Sequence, residues 1–239
     1  MTKQPHASWA NIYDKAYELS FGSLYDELTE HTIAAIERVL GPTGSIVDFG
    51  AGTGRLTLPL LDRGYQVTAV EPCQEMADVL RQKGHGRSLD LFIAKMADFQ
   101  PATTYDMALC VFTVIAYILN PDELKQSLMT AYKSLRPGGV LILEVPCRYK
   151  FVSQSTKTPE VSRDVMVRPT IDDHFEYIEN IRYVNHSGET ETASDRFTIR
   201  CWELPYVKSI LNDVGFVDAG LDVKFHAPLD SDYILVKRA

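Results

Sequence analysis

The stretch VDFGAGTGRLTLPLL, Val47 to Leu61, sets three glycines, Gly50, Gly52 and Gly54, between an apolar run and an amphipathic one. A turn this poor in side chains brings backbone close to something, either a ligand or a packed helix. The flanking runs decide the fold it belongs to. SIVDF before the turn reads as strand, and Arg55 to Arg63 after it reads as helix. The alternation continues with QVTAV (strand), Gln74 to Lys83 (helix), LDLFIA (strand), YDMALCVF (strand), Asp122 to Leu135 (helix) and GVLILEVP (strand). Short, nearly continuous apolar strands separated by helices are the pattern of a parallel sheet covered on both faces. A helix over Leu204 to Val214, stopped by Gly215, leads into two closing strands, FVDAGLDVKF and DYILVKR. The fold class is therefore α/β, a doubly wound, mostly parallel sheet of seven strands.

Upstream of the turn, Leu28, Thr32, Ile33, Ile36, Val39 and Leu40 recur at helical spacing until GPTG stops them, which predicts one or two helices. After Pro146 the pattern changes to a polar stretch, CRYKFVSQSTKTPE. Two alternating segments follow, DDHFEYIENIRYVNH and ETASDRFTIRCW, joined by SGET. Alternation around a Gly-containing turn predicts an antiparallel hairpin. Its apolar residues need a surface to cover, and the carboxyl ends of the parallel strands offer one. The expected organisation is an N-terminal helical lid over residues 1–44, a core over 45–146 and 203–239, and an inserted hairpin cap over 147–202.

With 239 residues, 45% hydrophobic and 23% charged, the chain has the make-up of one soluble globular domain. A formal net charge of −8 works against nucleic acid and anionic lipid as partners. Cys73, Cys110, Cys147 and Cys201 form no CxxC pair and no cluster with histidine, so no metal site is expected and the thiols read as reduced. The N-terminus lacks the apolar stretch of a signal peptide, and no segment approaches the roughly eighteen apolar residues of a membrane span. The expectation is a cytoplasmic protein, monomer or homodimer, working on a small molecule.

The glycine spacing is G-x-G-x-G, not G-x-G-x-x-G, and Asp48 precedes the first glycine by two. A shorter turn carrying an acid suits a ligand with a cationic amino group better than one with two phosphates. Glu71, at the end of VTAVEP, lies about twenty residues beyond the turn, where a carboxylate can accept both ribose hydroxyls. Asp98, in KMADFQ, is placed to accept from an adenine amino group, with Phe99 beside it for stacking. In the apolar CVFTVIAYIL, Phe112 and Tyr117 are the residues to assign to a pocket.

Taken together, VDFGAGTG, VTAVEP with EMADVL, AKMADFQ, YDMALCVF and LRPGGVLILEVP resemble, in order and spacing, the class I methyltransferases that use S-adenosylmethionine. The ends of the chain, WANIYDKAYELSFGSLYDEL and RFTIRCWELPYVKSILNDVGF, look like the subgroup that methylates small molecules, including amino-sugar N-methyltransferases. That resemblance implies cofactor contacts from Asp48, Gly50, Ala51, Gly52 and Gly54 at the methionine part, and from Glu71, Pro72 and Met76 at ribose and adenine. It further implies Asp98 and Phe99 at adenine, Cys110 to Phe112 under the sulfonium, and Tyr13 and Tyr25 closing over the cofactor. Ala116 departs from the subgroup, which often has Gly before the tyrosine.

Methyl transfer from a sulfonium is a direct displacement on an activated leaving group, so alignment and water exclusion matter more than a nucleophile–base set. The candidates for the acceptor side are Tyr13, Tyr17 and Tyr117, with His174, Glu176, Tyr177, Arg182 and Arg200 from the hairpin. Tyr117, Tyr13 and His174 are the catalytic candidates, His174 as a base near neutrality. The function expected is N- or O-methylation of a small molecule, amine ahead of hydroxyl. A non-catalytic S-adenosylmethionine-binding module and a nicotinamide-dependent dehydrogenase are the competing readings.

Overall fold

The computed structural model describes residues 4–185, 187–221 and 231–239. After a 3-10 segment at Ala7–Ile12 the chain forms α1 (Tyr13–Phe21) and α2 (Ser23–Leu40), the latter closed at Gly41, whose N–H reaches Glu37 O at 2.8 Å. The alternating part follows as β1 (Ser45–Phe49), α3 (Thr57–Asp62), β2 (Gln66–Val70), α4 (Gln74–Lys83), β3 (Asp90–Phe92), β4 (Tyr105–Cys110), α5 (Pro121–Ser134) and β5 (Leu135–Pro146). Helix α5 begins where sequence chemistry dictates, with the Asn120 side chain accepting from Asp122 N at 2.7 Å and Pro121 in the first turn. The chain ends in α6 (Leu204–Val214), β10 (Phe216–Asp218) and β11 (Ser231–Arg238), the last antiparallel to β5. The rest of the FVDAGLDVKF strand expectation, from residue 222 on, and His186 in the hairpin lie outside the described residues.

Strand order in the seven-stranded sheet is β10-β11-β5-β4-β1-β2-β3. Side chains alternate between its two covered faces. Val47, Phe49, Ala108, Cys110, Leu141 and Leu143 pack with Leu124 and Leu128 of α5 and Ile210 and Leu211 of α6. Ile46, Met107, Leu109 and Ile142 pack on the other face with Ile33 and Ile36 of α2 and Leu60 of α3. The chain leaves β1 toward β2 on one side and returns as β4 on the other, so the order reverses between β1 and β4. The crevice outside the strand carboxyl ends opens at that reversal.

The polar stretch after Pro146 and the expected hairpin form a second, four-stranded antiparallel sheet, β6 (Gln154–Lys157), β7 (Val161–Pro169), β8 (His174–Val184) and β9 (Thr190–Arg200). The hairpin is β8–β9; β6 and β7 extend it. On β8, Phe175, Glu179, Ile181 and Tyr183 are buried while Asn180 and Arg182 are exposed. The buried face meets Trp9 and Tyr17 of the N-terminal segment and Ala116 beyond β4. Trp9 Nε1 donates to Asp195 Oδ2 of β9 at 2.8 Å, and Ser8 Oγ to Asp195 Oδ1 at 2.6 Å. Among the described residues no helix is long and apolar enough to cross a membrane.

Candidate active site

At the strand-order reversal lies a cavity of about 420 Å³, walled by the turn after β1, the ends of β2, β3 and β4, and the N-terminal segment. The three glycines divide their work. A Cβ on Gly50 would stand 2.4 Å from Val114 Cγ2, and one on Gly54 2.5 Å from Leu80 Cδ1. Those two glycines let the turn pack against its neighbours. Gly52 is different: with φ at +58° its absent side chain meets nothing nearer than Met76 Cε at 3.6 Å, and it lines the cavity.

Two buried acids face this turn. Glu71 accepts from Gly52 N through Oε2 and from Cys73 N through Oε1, both at 2.8 Å. Burial raises its pKa, and these two hydrogen bonds oppose the rise. Each oxygen keeps a free lone pair for a further donor. Asp48 accepts from Thr57 Oγ1 at 2.6 Å, and burial pushes its carboxyl up to about 6 against that bond and the charge of Arg55. Tyr25 Oη and Ser127 Oγ also line the cavity and are buried without a hydrogen-bond partner among the described residues. Orphaned polar groups in a cavity wall are what a polar ligand satisfies.

The N-terminal segment is fastened across the opening. Thr53 Oγ1 of the glycine turn donates to Asp14 Oδ1 at 2.5 Å, and Lys83 Nζ bridges Asp14 Oδ2 at 2.6 Å and Thr53 O at 2.7 Å. Tyr13 of the same helix lines the cavity and stacks on Tyr17, ring centroids 4.3 Å apart.

Beyond β4 the backbone is strained. Phe112 and Thr113 sit at φ +65° and +67°, a region that non-glycine residues occupy at a cost of order 1–3 kcal/mol each. Both N–H groups donate to Oε2 of buried Glu144, Thr113 N at 3.1 Å. Glu144 Oε1 in turn pairs with Lys150 Nζ at 2.7 Å. Burial alone would raise the Glu144 carboxyl, but the Lys150 charge and the hydrogen bonds from Lys150, Ser231 and Thr113 hold it below the usual carboxylate value.

Phe112, Thr113 and Tyr117 form the wall between this cavity and a second of about 240 Å³. The second is lined by Tyr17, Phe112, Tyr117, Tyr177 and Phe197 and by a buried ion pair, Arg163 Nη2 to Glu179 Oε1 at 2.5 Å. Tyr177 and Phe197 stack with centroids 5.4 Å apart. Tyr117 opens onto both cavities, which leave it 37% exposed, and the protein that walls them desolvates its phenol and raises its pKa.

A methyltransferase domain model matches residues 46–139, the half of the sheet that carries the glycine turn. The putative methyltransferase YqeM of Bacillus subtilis is 29% identical over 139 residues, 54% of this chain and 56% of that protein. The chain therefore aligns with little more than half the length of that relative. An S-adenosylmethionine-dependent methyltransferase from Clostridium acetobutylicum superposes over 98% of this chain and 99% of its own, with a TM-score of 0.79 at 20% identity. The sugar N-methyltransferase KedS8 from Streptoalloteichus superposes over 95% of this chain and 93% of its own, TM-score 0.75 at 19% identity. Residues 46–139 thus match a methyltransferase domain, and the chain shares its overall fold with S-adenosylmethionine-dependent methyltransferases.

The cavity fits S-adenosylmethionine on its own residues: Gly52 leaves room, Asp48 suits a cationic amino group, and Glu71 has acceptor capacity for ribose hydroxyls. Of the residues named from the sequence, Tyr13, Tyr25, Asp48, Gly50, Ala51, Gly52, Glu71, Pro72, Met76, Phe112 and Tyr117 line it. Four cofactor candidates do not. Gly54 packs against Leu58 and Leu80, and Cys110 lies in the core with no exposure. Phe99 packs edge-on against Phe49 and Phe92, and Asp98 is exposed. The chain turns immediately after β3, so Lys95 and Met96 reach the cavity instead.

His174 lines neither cavity; its Nδ1 is held by Ile171 O and Asp172 O at 3.0 and 2.9 Å. Arg182 is exposed, Glu176 pairs with Arg196, and Arg200 stacks on Trp202 while donating to Leu119 O. From the hairpin group only Tyr177 faces a cavity. Sequence reasoning missed His6, Arg163 and Glu179. His6 sits 111 residues from its partner Tyr117, and no local pattern joins them.

Proposed function

We propose that this chain transfers a methyl group from S-adenosylmethionine to a nitrogen or oxygen of a small-molecule acceptor held in the second cavity. The observation that carries the reading is the wall of Phe112, Thr113 and Tyr117 common to the two cavities. Bound in the first cavity, the cofactor supplies an electrophilic methyl on a sulfonium that leaves with its electron pair. The chain's own task is then alignment and exclusion of water, which in well-oriented systems recovers roughly 7–11 kcal/mol of barrier. Glu71 takes the ribose hydroxyls, Asp48 the cationic amino group, and Tyr25 and Ser127 gain the partners they lack. On this reading residues 1–44 are a lid, 45–146 with 203–239 the cofactor core, and 147–202 the acceptor cap.

An amine is favoured over a hydroxyl. The second cavity carries the rings of Tyr117, Tyr177 and Phe197 beside Glu179, whose Oε2 is not taken by its Arg163 partner, and such rings and a spare carboxylate oxygen suit an amine. The likeness to a sugar N-methyltransferase supports the same choice. The net charge of −8 favours a small acceptor over nucleic acid, and the buried free thiols of Cys73 and Cys110 suit a reducing cytoplasm.

Isothermal titration with S-adenosylmethionine and with NAD is the test. Micromolar binding of the first is expected, lost in Gly52→Arg and weakened at least tenfold in Glu71→Ala. Binding of NAD alone would replace methyl transfer with the dehydrogenase reading. Tight binding of S-adenosylmethionine without methylation of any amine or hydroxyl metabolite would favour a binding module.

A further inference from the structure

His6 is not a loose N-terminal residue. Its backbone is in the left-handed region, φ +65°, and its ring is 6% exposed, packed edge-on against Trp9, Tyr13, Tyr117 and Phe197. Strain of this kind persists only where the surroundings impose it. What it achieves is the aim of both ring nitrogens. Nε2 stands 2.8 Å from Tyr117 Oη, and Nδ1 stands 3.3 Å from Glu179 Oε2. The second distance is longer than a good hydrogen bond, and among the described residues these two atoms have no other partner. Glu179 is anchored from its other oxygen by Arg163 at 2.5 Å.

We propose that Tyr117, His6 and Glu179 form a proton relay that strips the proton from an amine acceptor in the second cavity. The inference rests on the methyltransferase reading above and narrows its substrate to an amine that arrives protonated. The tautomer follows from the partners. Arg163 and His6 hold Glu179 below the usual carboxylate value despite its burial, so it is an acceptor and Nδ1 carries the ring proton. Nε2 is then the acceptor for the Tyr117 hydroxyl, a phenol that carries its proton at neutral pH. In the step, the ammonium gives its proton to the Tyr117 oxygen as the phenol proton passes to His6 Nε2. The imidazolium so formed faces Glu179, and the amine retains the lone pair that attacks the methyl carbon. No phenolate is released at any point. Tyr117 is the catalytic residue, and Glu179 positions His6. The charged and titratable groups around the imidazole are Tyr13, Glu71, Tyr117, Arg163 and Glu179, with Asp195 across Trp9.

Sinefungin, an S-adenosylmethionine analogue with an amino group where the transferable methyl stands, presents an ammonium to this wall without any acceptor being known. Nitrogen-15 NMR of the histidines, with His6→Gln to assign the His6 signals, reads the protonation directly. The expected result is that sinefungin, added at neutral pH, shifts the His6 Nε2 signal as its ammonium donates to the Tyr117 oxygen and drives the phenol proton toward Nε2. S-adenosylhomocysteine, which lacks the amine, leaves that signal where it was. In Tyr117→Phe sinefungin still binds by calorimetry and the His6 signal does not move with it, which a purely structural role for Tyr117 does not predict. Binding of sinefungin with His6 unchanged in the parent protein overturns the relay and leaves the methyltransferase reading standing. Failure of both analogues to bind overturns that reading and the relay with it.

Discussion

Asp48 is a carboxylate kept where stability would discard it. Its folded pKa of about 6 lies above the value of 3.8 for a free group, so the folded chain holds its proton more tightly than the unfolded one. Above both values the burial of the charge costs roughly 3 kcal/mol, and that cost disappears as pH falls through 6 toward 3.8. Asp48→Asn keeps an acceptor for Thr57 and removes the charge. Urea denaturation is expected to show the variant about 2–3 kcal/mol more stable at pH 8 and level with the parent near pH 4. The same variant is expected to bind S-adenosylmethionine at least tenfold more weakly. A variant that loses stability at pH 8 would mean the carboxylate is held by partners in the fold and not for a ligand. The place of Asp48 at the cavity was legible in the sequence, since it precedes the glycine turn by two residues, whereas its burial was not. Asp98 misled for the complementary reason: counting along the chain does not reveal that the backbone turns at Lys95, which leaves Asp98 exposed and sends Phe99 into the core.

At the scale of the element, the decisive device is the segment after β4, held in a left-handed conformation at Phe112 and Thr113 by the Glu144 carboxylate of β5. Here the sign of the pH effect is opposite to that of Asp48. The folded pKa of Glu144 lies below its free value of 4.5, so its stabilisation is complete above 4.5 and is lost as pH falls through the folded value. Glu144→Gln leaves the Lys150 ammonium without its anion and is expected to cost about 3 kcal/mol at pH 7. The difference from the parent should shrink below pH 4.5 in the same denaturation series. An equal deficit at acid and neutral pH would assign the loss to packing and not to charge. Such elements are only partly legible. The parallel strands stand out because both faces are apolar, giving runs such as VLILEV. Strand β7 does not, since its buried face reads Val161, Arg163, Val165, and a charged residue in the middle hides the alternation. Burial of Arg163 is explained only by Glu179, sixteen residues further on, and by the Tyr17 ring 4.7 Å beneath it.

Across the whole molecule, the N-terminal segment is the one piece that touches everything the site needs. Asp14 ties it to the glycine turn and α4, Trp9 ties it to β9, and Tyr13 and His6 face the cofactor cavity from between. The Asp14–Lys83 pair is more than a third exposed on both sides, so it holds the segment by less than about 1 kcal/mol. The Asp14 tie is expected to open locally in the free protein, while buried Trp9 holds the segment to β9, and a ligand in the cavity beneath is expected to keep that tie shut. Ligand binding should therefore register far from the glycine turn. At a hundred times its dissociation constant S-adenosylmethionine adds about 2.7 kcal/mol to unfolding, a rise in Tm of roughly 5–10 °C for a chain of this length. Hydrogen exchange shows where that energy goes: protection is expected over residues 7–21 and 111–117 as well as the glycine turn, with β10 and β11 unchanged. Asp14→Asn should keep the parent's Tm without ligand within about 2 °C and lose most of the protection over 7–21. Protection confined to the turn and the end of β2 would mean that the cofactor is held by the sheet alone, and that the N-terminal segment answers only to the acceptor.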